Sequence, residues 1–154
     1  MKRIFINISS QTASLFDGCN KIKQYIISSA ANGIGFEPDS NTTPIGNFSI
    51  NDKIGNNSPE YMIFKGRQAT GELCMPGSDL WKANHALVLT RMILLNGLNS
   101  DNSNTLSRFI YLHGTNRENL LGKPASNGCI RFGNNDIIDL FDRIDSQTMV
   151  IIVP

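Results

Sequence analysis

Ile4, Ile6 and Ile8 fall on one face of an extended segment, the period-two pattern of a half-buried strand. A second run, Thr12 to Phe16, follows. Asp17-Gly18 then supplies the dipeptide whose positive φ angles favour a tight hairpin before Ile22 to Ser28 returns, so the first quarter reads as a β-meander. From Ala30 to Pro44 the chain is rich in Gly, Asn, Ser and Asp and predicts an irregular surface loop, its end marked by Thr43-Pro44-Ile45-Gly46. Asn47 to Asn51 predicts a strand, Asp52 to Pro59 a polar loop, Tyr61 to Lys65 a short strand and Gly66 to Asp79 a further loop. Leu80 to Leu95 fits two periods: Trp81, Val88 and Leu95 share a helical face, whereas Leu87 to Leu95 also reads as a buried strand, and the strand is preferred from Leu87 onwards. Phe109 to Leu112 predicts a short strand ending at His113. Asn134 and Asn135 can cap a helix from Asp136, in which Ile137, Phe141 and Ile144 recur at i, i+4 and i+7. Met149 to Val153 is a closing apolar strand. The pattern predicts one mainly β domain over residues 1–154, a β-sandwich or open barrel with one short C-terminal helix.

Composition removes several classes of function. A chain of 154 residues can build one proper core, and 40% hydrophobic with 18% charged residues suits a globular domain. Fourteen basic against thirteen acidic residues leave a formal charge of +1, so no overall field favours nucleic acid or an anionic membrane, and the scattered aromatics offer bases no stacking surface. The longest apolar candidate, Ala86 to Leu95, is interrupted by Thr90 and Arg91, which excludes a helical membrane span. Met1-Lys2-Arg3 imitates the start of a secretion signal, but the alternation that follows is that of a strand. A cytoplasmic location is therefore expected, with the periplasm as the alternative if the sequence is a trimmed piece. Cys19, Cys74 and Cys129 are odd in number with no close pair, which argues against a disulfide framework and a zinc site. No metal or cofactor is expected.

Chemistry concentrates near Cys129. Gly128 lets the backbone turn tightly, so that amide N–H groups can converge beside the sulfur as an oxyanion hole. A thiol needs a base or a cation to become a strong nucleophile, and His113, at a predicted strand end and followed by Gly114, can supply it. The sixteen positions from 113 to 129 are ample for the chain to return. Taken singly, a cysteine is usually a small buried hydrophobe and a histidine a surface or hydrogen-bonded residue. Arg131 lies two residues past Cys129, on the same side of an extended segment, where its planar fork suits a carboxylate; bridging an aspartate is its ordinary role. Ser126 could orient the substrate or the loop. His85, Cys19 and Cys74 have no constellation beside them and are treated as incidental.

Joined in order, Phe109-Ile110-Tyr111-Leu112-His113-Gly114-Thr115 and Ala125-Ser126-Asn127-Gly128-Cys129-Ile130-Arg131 closely resemble the L,D-transpeptidase (YkuD) catalytic domain. Thr43-Pro44-Ile45-Gly46-Asn47-Phe48 resembles the family's Thr-Pro-x-Gly-x-Phe segment, and the opening hairpin at Gln11 extends the likeness over nearly the whole chain. The resemblance implies that Cys129 is the nucleophile and His113 the base. It gives Gly114 the carbonyl that orients the His113 ring, and the backbone around Gly128 and Cys129 the oxyanion. Arg131, Ser126, Asn127 and Tyr111 would contact the substrate. Asn127 departs from the family, which most often has histidine there.

The implied substrates are peptidoglycan stem peptides or muropeptides, cut between meso-diaminopimelate and D-alanine. With no leader read at the N-terminus, water is the expected acceptor, giving an L,D-carboxypeptidase of murein recycling. The alternatives are an L,D-transpeptidase making 3-3 crosslinks or exchanging D-amino acids, and a non-catalytic peptidoglycan-binding protein.

Overall fold

The alternating isoleucines form β1 (Lys2–Asn7), with Ile4 and Ile6 fully buried and Phe5 turned outward. In the computed structural model, which describes residues 1–154, β2 (Thr12–Asp17) and β3 (Asn20–Ser28) follow as antiparallel neighbours, so the predicted meander forms. The remaining elements are β4 (Gly46–Ile54), β5 (Met62–Lys65), β6 (Gln68–Leu73), α1 (Asp79–Lys82), β7 (Val88–Gly97), β8 (Tyr111–Thr115), β9 (Ile130–Phe132), α2 (Asn134–Arg143) and β10 (Met149–Val153). A 3₁₀ turn occupies Glu118–Leu120.

The strands lie in the order β4-β10-β1-β2-β3-β9-β8-β7-β5-β6, and β4 also pairs with β7. That second pairing, Phe48 opposite Gly97 through Ile54 opposite Met92, brings the two ends of the sheet together into a barrel-like ring, with the β5–β6 hairpin attached outside it. Inside, Ile4, Ile6, Leu15, Phe48, Ile93 and Leu112 pack with Ile137, Leu140, Phe141 and Ile144. The apolar stripe read from sequence therefore covers the core, each large side chain contributing about 1.5–3 kcal/mol by leaving water.

The mainly β expectation and the C-terminal helix hold, and several boundaries move. The Asp52 to Pro59 loop begins later, because β4 continues to Ile54 along β7. Gly66 to Asp79 is not all loop: Gln68–Leu73 is exposed throughout and lacks an apolar alternation, yet it pairs with β5 as β6. Phe109 is not in a strand. It is 61% exposed with φ +60, and the strand begins at Tyr111 and carries His113 in its middle. The predicted asparagine cap is replaced by Gly133 at the N-cap, while Asn134 is helical and fully buried. Leu80 and Trp81 lie in α1, a single turn capped by Ser78 Oγ on the Trp81 N–H, and the strand of this region starts at Val88.

Candidate active site

β8 and β9 run parallel, with Leu112 opposite Ile130 and His113 opposite Arg131. Parallel partners need a crossover, here residues 116–129, which folds across the sheet by hydrogen bonds from Gly122 N–H to Ile27 O and from Ala125 and Ser126 N–H to Ser29 O. The crossover ends in the turn 126–129. There the strand alternation puts Cys129 and Arg131 on the side occupied by His113, and all three line one cavity of about 140 Å³ with Ser126, Asn127 and Val88.

The turn is held from several directions. Ser126 Oγ–H donates to Cys129 O and accepts the Gly128 N–H at 3.2 Å. Thr43 Oγ1 accepts from Ala30 N–H and donates to Gly128 O at 2.9 Å. Gly128 has φ +130, and a Cβ there would meet Ile110 Cδ1 at 3.1 Å and Thr42 O at 3.3 Å, so both conformation and space call for glycine. With the Gly128 N–H engaged by Ser126, the Asn127 and Cys129 N–H groups are the two in the turn that donate to no protein acceptor.

The half-buried Sγ of Cys129 donates to Phe109 O at 3.1 Å and accepts the Tyr111 N–H at 3.3 Å. Burial pushes the thiol up to about 11, against the lowering pull of the Tyr111 N–H and of Arg131. His113 Nδ1 lies 2.6 Å from Gly114 O. A carbonyl only accepts, so Nδ1 carries the proton and Nε2 of the neutral ring is left as a bare lone pair. Burial brings His113 down to about 4, so the imidazole remains an unprotonated base across the neutral range. No hydrogen bond joins Sγ to the His113 ring; they face the same cavity as neutral thiol and neutral imidazole.

Arg131 is 5% exposed and makes no ion pair or side-chain hydrogen bond with the protein. Its pKa is lowered by burial and by repulsion from Arg117, and raised by Cys129. A buried cation without a protein acceptor is costly, and Arg131 lines the cavity wall, where its planar fork has the geometry to meet an anion.

Ser126 is therefore primarily a brace for the turn, while the exposed Asn127 lines this cavity and a neighbouring one and Tyr111 supports Sγ through its backbone. His85 is exposed and lies outside the cavity, Cys19 is exposed and Cys74 is buried elsewhere. Two supports escaped the sequence reading. Thr43 reaches Gly128 across 85 positions, and only its place in the Thr-Pro-x-Gly-x-Phe segment hinted at a role. Asn134 gives Nδ2–H groups to Thr115 O and Glu118 Oε1, both at 2.8 Å, and accepts from Thr90 Oγ1, behind the His113 strand. A Cβ on Gly114 would lie 2.5 Å from Asn134 Oδ1 and 2.7 Å from Leu89 O, so this network reaches the His113 strand only because residue 114 is glycine.

The model of the L,D-transpeptidase catalytic domain matches residues 1–152. YqjB of Bacillus subtilis, which carries an L,D-transpeptidase name, is 46% identical over 52 residues, 34% of this chain and 30% of that protein. Among solved structures, L,D-transpeptidase 3 of Mycobacterium tuberculosis aligns over 99% of this chain and 61% of its own, with TM-score 0.62 and 14% identity. An L,D-transpeptidase of Xylanimonas cellulosilytica aligns over 99% and 60%, with TM-score 0.60 and 19% identity. At these identities the structural likeness concerns the fold, and the chain spans about three-fifths of those proteins.

Proposed function

Because the chain belongs to the L,D-transpeptidase catalytic domain family, we propose that it is a cysteine acyl-transfer enzyme acting on the bond between meso-diaminopimelate and D-alanine of peptidoglycan stem peptides, with water as its principal acceptor. The observation that carries the reading is the convergence of Sγ, a bare His113 Nε2 and the unpaired Arg131 cation on one cavity.

Sγ attacks the carbonyl carbon as its proton passes to His113 Nε2. The oxyanion that forms is held by the free Asn127 and Cys129 N–H groups. Collapse breaks the C–N bond, and His113 returns the proton to the departing D-alanine amine. Water then attacks the thioester, His113 takes its proton, and the C–S bond breaks to release the tripeptide acid and regenerate the thiol. A thiol held up to about 11 is not ionised at rest, so proton transfer accompanies attack. Arg131 anchors a substrate carboxylate and favours the thiolate as it develops.

Room of about 140 Å³ at the sulfur suits a small leaving amino acid followed by water. The cleft adjoining it at Asn127 favours a second reading, in which an amine enters beside the acyl-enzyme and a crosslink or exchanged D-amino acid results.

Incubation with disaccharide-tetrapeptide, with and without a D-amino acid, followed by mass analysis tests both. Tripeptide in water supports hydrolysis, and exclusively exchanged or crosslinked product replaces it with transpeptidation. No product, with no carbapenem adduct on Cys129, would leave a peptidoglycan-binding protein.

A further inference from the structure

A second cleft of about 290 Å³ neighbours the Cys129 cavity and is lined by Phe64, Val88, Met92, Tyr111, Phe109 and Arg67. Val88 lines both this cleft and the cavity at Cys129, and the Cys129 side chain packs on the apolar cluster of Phe64, Met92 and Tyr111 beneath it. The two spaces therefore adjoin at Val88, with Cys129 lining one and packing on the apolar residues that line the other.

Arg67 reaches the cleft from the tip of the β5–β6 hairpin, where Gly66 at φ +57 and Arg67 at φ +65 form the two-residue turn between the paired Lys65 and Gln68. A bulky residue held in the left-handed region is unusual, and Phe109, at φ +60, is a second one in the same cleft. The Arg67 guanidinium lies 5.7 Å from the ring centres of both Phe109 and Tyr111, and its Nε–H donates to the Tyr111 hydroxyl at 3.0 Å. That ring contact and the single hydrogen bond orient the fork, yet its two Nη groups reach no protein acceptor and no carboxylate pairs with it. No acidic residue lines the cleft.

We propose that this cleft, with Arg67 as its specificity-determining residue, receives an aliphatic side chain ending in a carboxylate, carried by the acyl-donor residue whose carbonyl Cys129 attacks. The proposal rests on the peptidoglycan reading above and adds to it where the side chain of the third stem residue goes and what distinguishes it. Tyr111 acts as the ruler: its N–H touches Sγ and its hydroxyl touches Arg67 Nε, so the free guanidinium edge stands one tyrosine length from the thiol. A side chain of several methylenes bridges that length over Val88 and Met92 and meets the fork with its carboxylate.

The test is kcat/KM for D-alanine release from two tetrapeptides, one with a free side-chain carboxylate on the third residue and one with that carboxylate amidated. The wild-type protein is expected to prefer the free carboxylate by ~10-fold or more, because a site that pairs a charge discriminates strongly against its neutral isostere. Arg67→Ala should erase the preference through KM on the free-carboxylate peptide alone, and Arg67→Lys should restore part of it. A purely structural role for Arg67 would lower both peptides equally, so equal losses, or a preference unchanged in Arg67→Ala, would overturn the assignment while leaving the acyl-transfer reading intact. If the wild-type protein cleaves neither peptide, that reading fails and the Arg67 assignment fails with it.

Discussion

The turn 126–129 and the strand Tyr111–Thr115 each deliver one reactive group to the same cavity, and they hold it by different means. The strand sits inside the sheet, between β7 and β9, and all five of its residues are buried. Its histidine is fixed by ladder pairing, by the neighbouring Gly114 carbonyl, and by the Asn134 network behind it. The turn has a single bridge, where Ser126 exchanges backbone bonds with Ser29 and Ala31; beyond it the conformation depends on hydroxyls, Ser126 within the turn and Thr43 from 85 positions away. A base that must keep one tautomer and one direction gains from a rigid strand. In the proposed acyl transfer, a sulfur that leaves Phe109 O to reach a carbonyl gains from a support that fixes the backbone while the side chain donates only one weak bond.

The comparison breaks most completely at the reactive atoms. Cys129→Ala should reduce D-alanine release by ~10⁴-fold or more without lowering the melting temperature, since the turn is held by other side chains; persisting turnover would remove the sulfur from the mechanism. His113→Ala should slow acylation by ~10²- to 10⁴-fold in stopped-flow measurements with a carbapenem, and a near-normal rate would require another base.

The burial of His113 carries its own signature. Because its pKa is about 4 in the folded protein against 6.5 for the free side chain, the folded state binds fewer protons than the unfolded one between those values. Stability contributed by the neutral ring is complete above pH 6.5 and is lost as pH falls to about 4, a difference of ~3 kcal/mol. Urea titrations of the wild type and His113→Gln across that range should diverge by this amount, and parallel curves would contradict a buried neutral imidazole.

The supports sharpen the contrast. Asn134→Ala orphans buried partners of a strand and should cost ~2–3 kcal/mol of stability, read by denaturant midpoint. Thr43→Val, almost the same shape, should cost ~1 kcal/mol in stability and act mainly on the rate of acylation, about tenfold, because it frees Gly128 O and with it the turn. If Thr43→Val destabilises as much as Asn134→Ala and leaves the rate unchanged, the turn is no more dependent on its brace than the strand.

Much of the site was legible because the informative residues are covalent neighbours. The order His113-Gly114, then Gly128-Cys129 and Arg131, singled out three residues that the fold brings to one cavity, and period-two alternation put Cys129 and Arg131 on one side of β9. The strands with alternating or continuous apolar residues were read for the same local reason, whereas β6, exposed at every position, left no periodic trace and exists by pairing with β5. Asn134 looked like a cap because capping is a local habit of asparagine, and its burial behind Gly114 depends on a strand twenty positions earlier.

The sequence by itself determined the β-rich class, the C-terminal amphipathic helix, and which cysteine and which histidine stand as the candidate nucleophile and base, since each follows from side-chain type and spacing along the chain. The tertiary structure alone decided that β4 meets β7 to bring the sheet's ends together, that β8 and β9 run parallel, and that Thr43 grips Gly128. It also decided that Arg131 stays buried without a protein partner, and that Arg67 rests on Phe109 and Tyr111. Those facts depend on desolvation and on contacts between residues far apart in the chain, quantities that no local pattern of polar and apolar positions encodes.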